Sequence, residues 1–216
     1  MSGDLPLLTL TIVIATSAVT IAAFRNISLL ERFILHVGAI EERGQWYRLF
    51  TSALLHGDWM HLLVNMFSLY MFGSLLEHVI APWRFGMVYV TGVMIASFVA
   101  VILHRHEWGY RALGASGGVA AVVGAATAAF PDMTMMVFPV PIPLPAWIVG
   151  TGFIVYSVIG ARGQWDNVGH DAHLAGTLTG IGMLAAFYPA AALENIVPIG
   201  IMLAAGGAAW LYVRRR

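Results

Sequence analysis

Seven long apolar stretches alternate with shorter polar segments along the chain. About 20 mostly apolar residues are needed for a helix to cross the hydrocarbon core of a bilayer. The pattern therefore predicts an all-α protein, a polytopic bundle of membrane helices. The seven predicted spans are Leu5–Phe24, Leu54–Leu76, Phe85–Leu103, Ala112–Phe130, Leu144–Ala161, Ala172–Ala192 and Ile196–Val213.

Two of the connections differ from ordinary polar loops. Residues 25–53 mix charged, apolar and aromatic positions, which predicts a segment in the membrane interface with Trp46 and Tyr47 at headgroup level. The linker from Pro131 to Pro145 carries alternating prolines, which prevent a regular helix and favour extended backbone until Pro145 begins the next helix. The first apolar stretch lacks a basic start and a small-residue cleavage site, which indicates a helix rather than a signal peptide.

The composition supports a membrane location. Hydrophobic residues make up 59% of the chain and charged residues 10%, with a mean hydropathy of +0.80, whereas soluble domains carry about 25% charged residues. The chain is therefore an integral protein of a lipid bilayer. Its net charge of zero indicates no nucleic-acid partner, and the absence of cysteine excludes disulfides, thiol catalysis and cysteine-ligated metals.

Polar side chains recur near one end of three predicted spans. The second span carries His61 and Asn65 one helical turn apart, the fourth carries Ser116, and the sixth carries His173. Such residues are costly in lipid and are candidates for function. Because the second, fourth and sixth spans run in the same direction, these side chains are predicted to share one membrane side and a similar depth.

Small residues predict how two of these spans pack. In the fourth span they repeat every four residues from Ser116 to Gly124, and in the sixth His173 shares a face with Gly176 and Gly180. Such G-x-x-x-G spacing allows the backbones of two helices to approach closely. Contact between the two faces would bring Ser116 within hydrogen-bond reach of His173, and a serine beside a neutral imidazole is an activated nucleophile.

Other interpretations of these residues remain open at this stage. Ser116 alone fits helix packing. A metalloenzyme could use the histidines and Asp171, but no H-E-x-x-H motif is present and the ligand spacing fits no single helix. A transporter would show midplane charges or repeated halves, and neither is found. His56 is interpreted as a structural group, and His170 with Asp171 as a solvated helix start at the positive end of the helix dipole.

Several short motifs resemble the rhomboid intramembrane serine proteases. They are "GASG" around Ser116, "HLLVN" from His61, "AHLAGTLTG" from Ala172, "YRLF" around Arg48, and "LLHGDWMH" at the start of the second span. The likeness extends from about Trp46 to Gly180, with the motifs on matching spans in matching order. The resemblance implies a six-helix rhomboid-like core over residues 1–192 and an additional C-terminal transmembrane helix over residues 193–216.

The resemblance also implies a reaction. Ser116 would attack the scissile carbonyl and His173 would carry its proton, without an aspartate, a metal or a cofactor. The Asn65 amide, His61 and the Ser116 N–H would stabilise the oxyanion. Gly114 and Gly117 would let the backbone bend around the nucleophile. The substrates implied are transmembrane helices with helix-destabilising residues.

Two features depart from this simple correspondence. Many family members carry an aromatic residue four positions after the serine, where this chain has Ala120, and the family's usual tryptophan before Arg48 is Tyr47. Arg48 itself is interpreted as holding the long first connection.

A proteolytically inactive rhomboid-like binding protein is the alternative function, but such proteins typically lack the serine or the histidine that this chain keeps.

Two guides to membrane orientation disagree. The resemblance places the N-terminus in the cytoplasm of a bacterial cell and the active site on the outer side of its inner membrane. With that orientation Arg84 is the one arginine in an inner loop, and the positive-inside rule favours the reverse. If the seventh stretch does not span the membrane, the terminal arginines return to the inner side. We adopt the orientation that the resemblance implies.

Overall fold

A computed structural model describes residues 5–137, 140–163 and 169–214 of the 216-residue chain. The protein is a polytopic bundle of membrane helices. The helices are α1 (Leu7–Arg25), α2 (Ile27–Phe33), α3 (Val37–Arg43), α4 (Arg48–Thr51), α5 (Trp59–Ile80), α6 (Pro82–Leu103), α7 (Ser116–Ala129), α8 (Ala146–Gly163), α9 (His170–Phe187), α10 (Pro189–Glu194) and α11 (Ile196–Arg214). The strands form two antiparallel pairs, β1 (Leu35–His36) with β2 (Arg111–Ala112) and β3 (Thr134–Val137) with β4 (Val140–Pro145).

The helices differ in how well they suit contact with lipid. Within the described ranges, α1, α5, α6 and Ile196–Val213 of α11 are long and apolar enough to cross a membrane, so four of the seven predicted spans meet that criterion. The α7 and α8 helices are apolar but shorter, and α9 begins with His170 and Asp171. With 14 residues, α7 is about 21 Å long, less than the roughly 30 Å of a hydrocarbon core. Neighbouring helices rather than lipid cover it, because nearly every residue from Gly117 to Ala128 is buried.

Two predicted spans begin later than expected. The second was predicted from Leu54, but Ser52–Leu54 forms a 3-10 helix and α5 starts at Trp59, after Asp58 caps it by accepting the His61 N–H at 2.8 Å. The fourth was predicted from Ala112, which lies in β2. Gly114 then adopts a φ of 128°, a conformation that no helix contains, so α7 cannot begin before this glycine.

The sixth predicted span ends early, and the linker before α8 is extended as expected. The span was predicted to continue to Ala192, but α9 ends at Phe187 because Pro189 has no N–H to continue the ladder and instead begins α10. The proline-rich linker forms the β3–β4 pair, and α8 begins directly after Pro145. The prediction of extended backbone up to that proline is confirmed.

The long first connection is folded rather than loose. It contains α2, β1, α3 and α4, and the buried Arg48 joins these pieces. Its guanidinium donates to the carbonyls of Glu31 at 2.8 Å and Ile34 at 2.6 Å, and to the Gln45 side chain at 2.7 Å. Arg48 therefore holds this connection together, as the sequence predicted.

The α7 helix packs at van der Waals distance against both α6 and α9, which also contact each other. A Cβ added to Gly180 or Gly176 would overlap the carbonyls of Ala121 and Gly117, so α9 meets the backbone of α7 directly. On the other side, a Cβ at Gly92 of α6 would overlap Ala121. The small faces predicted for the fourth and sixth spans therefore do pack together.

Other contacts hold the outer helices. Glu77 of α5 accepts hydrogen bonds from the N–H groups of Leu8 and Thr9 at 2.9 and 2.7 Å, and so caps the start of α1. Between α5 and α6 there is one residue, Ala81, with a φ of 71°, and α6 begins at Pro82. The α11 helix packs against α8.

Candidate active site

Ser116 is the first residue of α7, not an interior position of a helix. The segment before it is fixed by two hydrogen bonds: Gly114 N–H donates to the carbonyl of Ser52 at 3.0 Å, and Ala115 N–H donates to His56 Nε2 at 3.4 Å. The N–H groups of a first helical turn have no acceptor within their own helix. Ser116 thus combines a hydroxyl with a backbone donor at a helix N-terminus.

His56 is buried beneath this segment, with 1% of its surface exposed. Its Nδ1 lies 3.0 Å from the Thr20 hydroxyl, which donates its single hydrogen to the Leu54 carbonyl at 2.9 Å. Nδ1 must therefore carry the imidazole hydrogen, which leaves Nε2 as the acceptor for Ala115 N–H. This arrangement requires a neutral imidazole and supports the structural role predicted for His56.

The surroundings of His56 keep it neutral. The pKa of His56 is lowered from 6.5 to about 4, chiefly by burial and also by the nearby imidazole of His61, while the carboxylate of Asp58 opposes the shift. The two imidazoles meet edge to face, with ring centroids 4.8 Å apart. The acceptor that holds Ala115 is therefore present throughout the neutral pH range.

His61 lies beside Ser116. A Cβ added to Gly114 would be 2.9 Å from both Cε1 and Nε2 of His61 and 3.7 Å from the Ser116 hydroxyl oxygen. Gly114 thus needs to be glycine for two reasons, its positive φ and the imidazole against its Cα. Gly57 N–H approaches His61 Nδ1 at 3.5 Å, which favours the tautomer with its hydrogen on Nε2, the nitrogen near Gly114.

Asn65 follows one turn later on α5 and is 6% exposed. One hydrogen of its amide group is donated to the carbonyl of His61 at 2.9 Å. The amide carries two hydrogens, so the second is left for an acceptor in the cavity that Asn65 lines.

His173 reaches the same cavity from α9. Ser116, His173, His61 and Asn65 all line it, together with Gly114 and Gly117. Gly117, which follows Ser116, contacts the backbone of Gly176 and lies beside the Ala172 carbonyl, so the first turns of α7 and α9 are adjacent. The structure therefore brings together the residues that the sequence selected from three separate spans. Gly176 and Gly180 lie beneath the cavity, in the α7–α9 contact.

An aromatic partner of His173 was missed by the sequence analysis. The Phe153 ring of α8 stacks on the His173 imidazole, with centroids 5.7 Å apart and an interplanar angle of 24°. An apolar helix gives no sequence signal for which of its aromatic rings will meet a histidine. The one sequence signal was the alanine at position 120, where many family members have an aromatic residue. It could have prompted a search for another ring that stacks on His173.

The prediction of a solvated helix start is wrong for His170. This residue is 2% exposed, its ring contacts Tyr156 edge to face at 4.8 Å, and a Cβ added to Gly160 would overlap the ring. The missing side chain of Gly160 leaves room for the imidazole, which is why His170 is buried. Asp171 lies in the first turn of α9, as the helix dipole favours.

A polar cluster at the cavity rim was also missed. His104 stacks on Tyr110 at 3.7 Å, contacts Glu107 at 2.9 Å and lies 3.9 Å from Asp171. Burial, together with the carboxylates of Asp171 and Glu107, raises the pKa of Tyr110 to about 12. The polar run between the third and fourth spans is the sequence signal for it. Within the described ranges, no group of three His, Asp or Glu side chains is placed to hold a metal ion.

Comparison with known proteins identifies the family. The rhomboid domain model matches residues 43–190, a range that contains every candidate site residue. This chain belongs to the rhomboid family. Rhomboid proteins are generally intramembrane serine proteases, although some members are inactive.

Individual relatives are distant and longer than this chain. Rhomboid protein 1, mitochondrial, from Saccharomyces cerevisiae is 28% identical over 147 residues, which is 67% of this chain and 42% of the relative. Presenilin-associated rhomboid-like protein A, mitochondrial, from Danio rerio is 24% identical over 177 residues, or 80% of this chain and 46% of the relative. RHOMBOID-like protein 5 from Arabidopsis thaliana is 33% identical over 107 residues, or 49% of this chain and 32% of the relative. The chain spans less than half the length of each.

Proposed function

We propose that this protein is an intramembrane serine endopeptidase that uses Ser116 and His173 as a catalytic dyad. The observation that carries the proposal is the meeting of Ser116, His173, His61 and Asn65 in one cavity, from three helices that begin on the same side of the bundle. An inactive rhomboid-like binding protein would not need both reacting groups.

The proposed reaction proceeds through an acyl-enzyme. The Ser116 oxygen attacks the scissile carbonyl carbon while the His173 imidazole accepts the hydroxyl proton. Collapse of the tetrahedral intermediate breaks the C–N bond, and His173 delivers the proton to the leaving amine. A water molecule, deprotonated by His173, then attacks the ester, and the proton returns to Ser116 as the new carboxyl product leaves.

Three donors are available for the oxyanion in this scheme. They are the Ser116 backbone N–H at the start of α7, Nε2–H of His61, and the second hydrogen of the Asn65 amide. These donors are held in place before the reaction: Gly114 leaves room for the His61 ring beside Ser116, and the Asn65 amide donates to the His61 carbonyl. Little rearrangement is therefore needed as negative charge develops.

The cavity position indicates the class of substrate. The site lies where α5, α7 and α9 begin, so a substrate would be cut near one membrane surface. A peptide bond inside a regular helix is shielded by its own hydrogen bonds, so we propose transmembrane segments with helix-destabilising residues as substrates. The yeast and zebrafish relatives carry mitochondrial names and another relative comes from Bacillus subtilis, so the relatives support a membrane location without indicating which membrane. A bacterial inner membrane, with the site facing outward, is our proposal.

We further propose a division of the chain at residue 192. Residues 1–192 would form the catalytic core, and residues 193–216 an additional transmembrane helix. The main packing partner of α11 is α8, which supports this division, while Asn195 ties the start of the added segment to the end of α7 through the Ala128 and Ala129 carbonyls.

The decisive experiment uses purified protein and a model transmembrane substrate in liposomes. Wild type should cleave it, while Ser116→Ala, His173→Ala and the double variant should share the same low residual rate, because the two groups act in one step. A fluorophosphonate probe should label wild type at Ser116. Cleavage by purified Ser116→Ala at the wild-type rate would overturn the proposal, and substrate binding by wild type without cleavage or labelling would favour the inactive alternative.

A further inference from the structure

The α8 and α9 helices meet through two pairs of an aromatic ring and a histidine. Phe153 stacks on His173, and Tyr156 contacts His170 edge to face with centroids 4.8 Å apart. The spacing is three residues on both helices and the order is reversed, as antiparallel neighbours require. Gly160 adds a third contact, because its bare Cα receives the His170 ring. These contacts fix the register between the two helices next to the Phe153–His173 pair.

The α7 helix has no space for an aromatic ring of its own at this place. Ala120, one turn after Ser116, is 2% exposed, and a Cβ at Gly176 would lie 3.2 Å from the Ala120 methyl group. The faces of α7 and α9 are already in contact there. A flat surface against the His173 imidazole therefore has to come from a third helix.

We propose that Phe153 of α8 is a positioning residue for His173, which keeps the imidazole plane oriented so that a ring nitrogen faces Ser116. The inference rests on the function proposed above, because it assigns to His173 the role of the base. Phe153 does not contact the reacting bond in this scheme. It acts through the orientation of the imidazole.

The physical basis is the geometry of the pair. Ring centroids 5.7 Å apart with nearly parallel planes are within the range of favourable aromatic pairs, which contribute about 0.5–1.5 kcal/mol beyond the area they bury. The χ2 torsion of histidine is otherwise broad, so a stacked ring narrows the distribution of imidazole orientations. Leucine can fill much of the same volume but offers no flat surface. Tyrosine keeps the ring.

The experiment compares four variants of the full chain with wild type in liposomes. Phe153→Leu removes the ring, and Phe153→Tyr keeps it. Two further variants are controls. Tyr156→Leu removes the ring that contacts His170, and Phe98→Leu removes a ring of α6 that is 43% exposed. The measurements are kcat and KM on a transmembrane substrate, the rate of fluorophosphonate labelling at Ser116, and the thermal unfolding temperature.

For Phe153→Leu we expect kcat and the labelling rate to fall together, by between about twofold and tenfold, which corresponds to the loss of one aromatic pair. KM should stay within about twofold, because the oriented base matters for the chemical step. Phe153→Tyr should restore both rates to near wild type, Phe98→Leu should leave them unchanged, and Tyr156→Leu should lower them less than Phe153→Leu does.

Several outcomes would overturn the inference. These are unchanged rates in Phe153→Leu, a rise in KM with unchanged labelling, or equal losses in Phe153→Leu and Tyr156→Leu, which would indicate general docking of α8. If Phe153→Leu does not fold, Phe153→Met supplies the same comparison with a more adaptable side chain. Failure of wild type to cleave and to label would contradict the proposed function instead, so the two failures are distinguishable.

Discussion

A buried imidazole helps to fix the position of Ser116. His56 accepts the N–H of Ala115, the residue immediately before Ser116, and it is itself held by Thr20 of α1. The chain of contacts joins the first helix of the protein to the start of α7. A charged His56 would carry hydrogens on both nitrogens and could no longer accept from Ala115.

Acidification should therefore destabilise the folded protein through His56. The folded pKa is about 4 and the ordinary value is 6.5, so the unfolded chain binds this proton more readily. The stabilisation is complete above pH 6.5 and is lost as the pH falls through about 4. Thermal unfolding in detergent between pH 7 and pH 4 should show this loss in wild type.

The matched control is His56→Gln, whose side-chain carbonyl can still accept from Ala115 but does not titrate. Its unfolding temperature should change less over the same pH interval. In His56→Leu the buried N–H loses its acceptor, which should cost about 1–3 kcal/mol of unfolding free energy at neutral pH. The same pH dependence in His56→Gln as in wild type would assign the effect to another group.

Asn65 provides a test of transition-state stabilisation at the same scale. Removal of one oxyanion donor costs about 2.7–4 kcal/mol where this has been measured in serine proteases. A smaller loss is expected for Asn65→Ala, because His61 and the Ser116 N–H remain. Steady-state kinetics should show a lower kcat with little change in KM. A raised KM with unchanged kcat would instead assign Asn65 to packing or to substrate binding.

At the scale of elements, the site depends on how closely α9 approaches α7. The glycines of α9 are not equivalent: Gly180 meets the carbonyl of Ala121, whereas Gly182 has open space around it. The difference arises because the two residues lie on opposite sides of the helix. Gly180, which lies in the contact with α7, limits how closely α9 can bring His173 to Ser116.

Gly180→Ala should therefore be destabilising and Gly182→Ala should not. The methyl group of Gly180→Ala would force the helices apart, an overpacking effect of about 1–3 kcal/mol, with a loss of turnover as well. In Gly182→Ala the unfolding temperature should be unchanged or slightly raised, since alanine favours a helix. Equal stability of the two variants would show that the α7–α9 contact is looser than described.

The sequence predicted this contact well and its surroundings less well. Helical periodicity alone places Ser116 on the small face of its span, and His173 and Gly180 on the small face of theirs. The contact between the two faces could therefore be inferred. The start of α7 could not, because it depends on Gly114 adopting a positive φ and on His56 lying under Ala115. Nor could Phe153, since hydropathy does not show which side of an apolar helix meets a neighbour.

For the whole molecule, the positive-inside rule and the family resemblance predict opposite orientations in the membrane. The positive-inside rule counts arginines in loops that are free to interact with either side. Two arginines on the site side are not free: Arg48 is buried among carbonyls, and Arg111 forms an ion pair with Glu31 at 2.7 Å. The charge on that side is thus lower in effect than a simple count indicates.

Reporter fusions can test the orientation. A fusion after Gly163, on the side of the site, should report the outer face of the membrane, and a fusion after Met133 should report the inner face. The chain contains no cysteine, so single cysteines introduced at the same positions can verify the result by their access to an impermeant reagent. The reverse labelling pattern would show that the arginine count is the better guide.

The one-residue link at Ala81 bears on how the protein is made. With so short a connection, α5 and α6 cannot enter the bilayer far apart in time, and the insertion machinery must handle them as one hairpin. Because the chain emerges from its N-terminus, this hairpin, with His61 at the start of α5, leaves the ribosome before α7 does. The helix that carries the proposed oxyanion donors His61 and Asn65 thus reaches the membrane ahead of the proposed nucleophile, and α7 packs against a partner that precedes it.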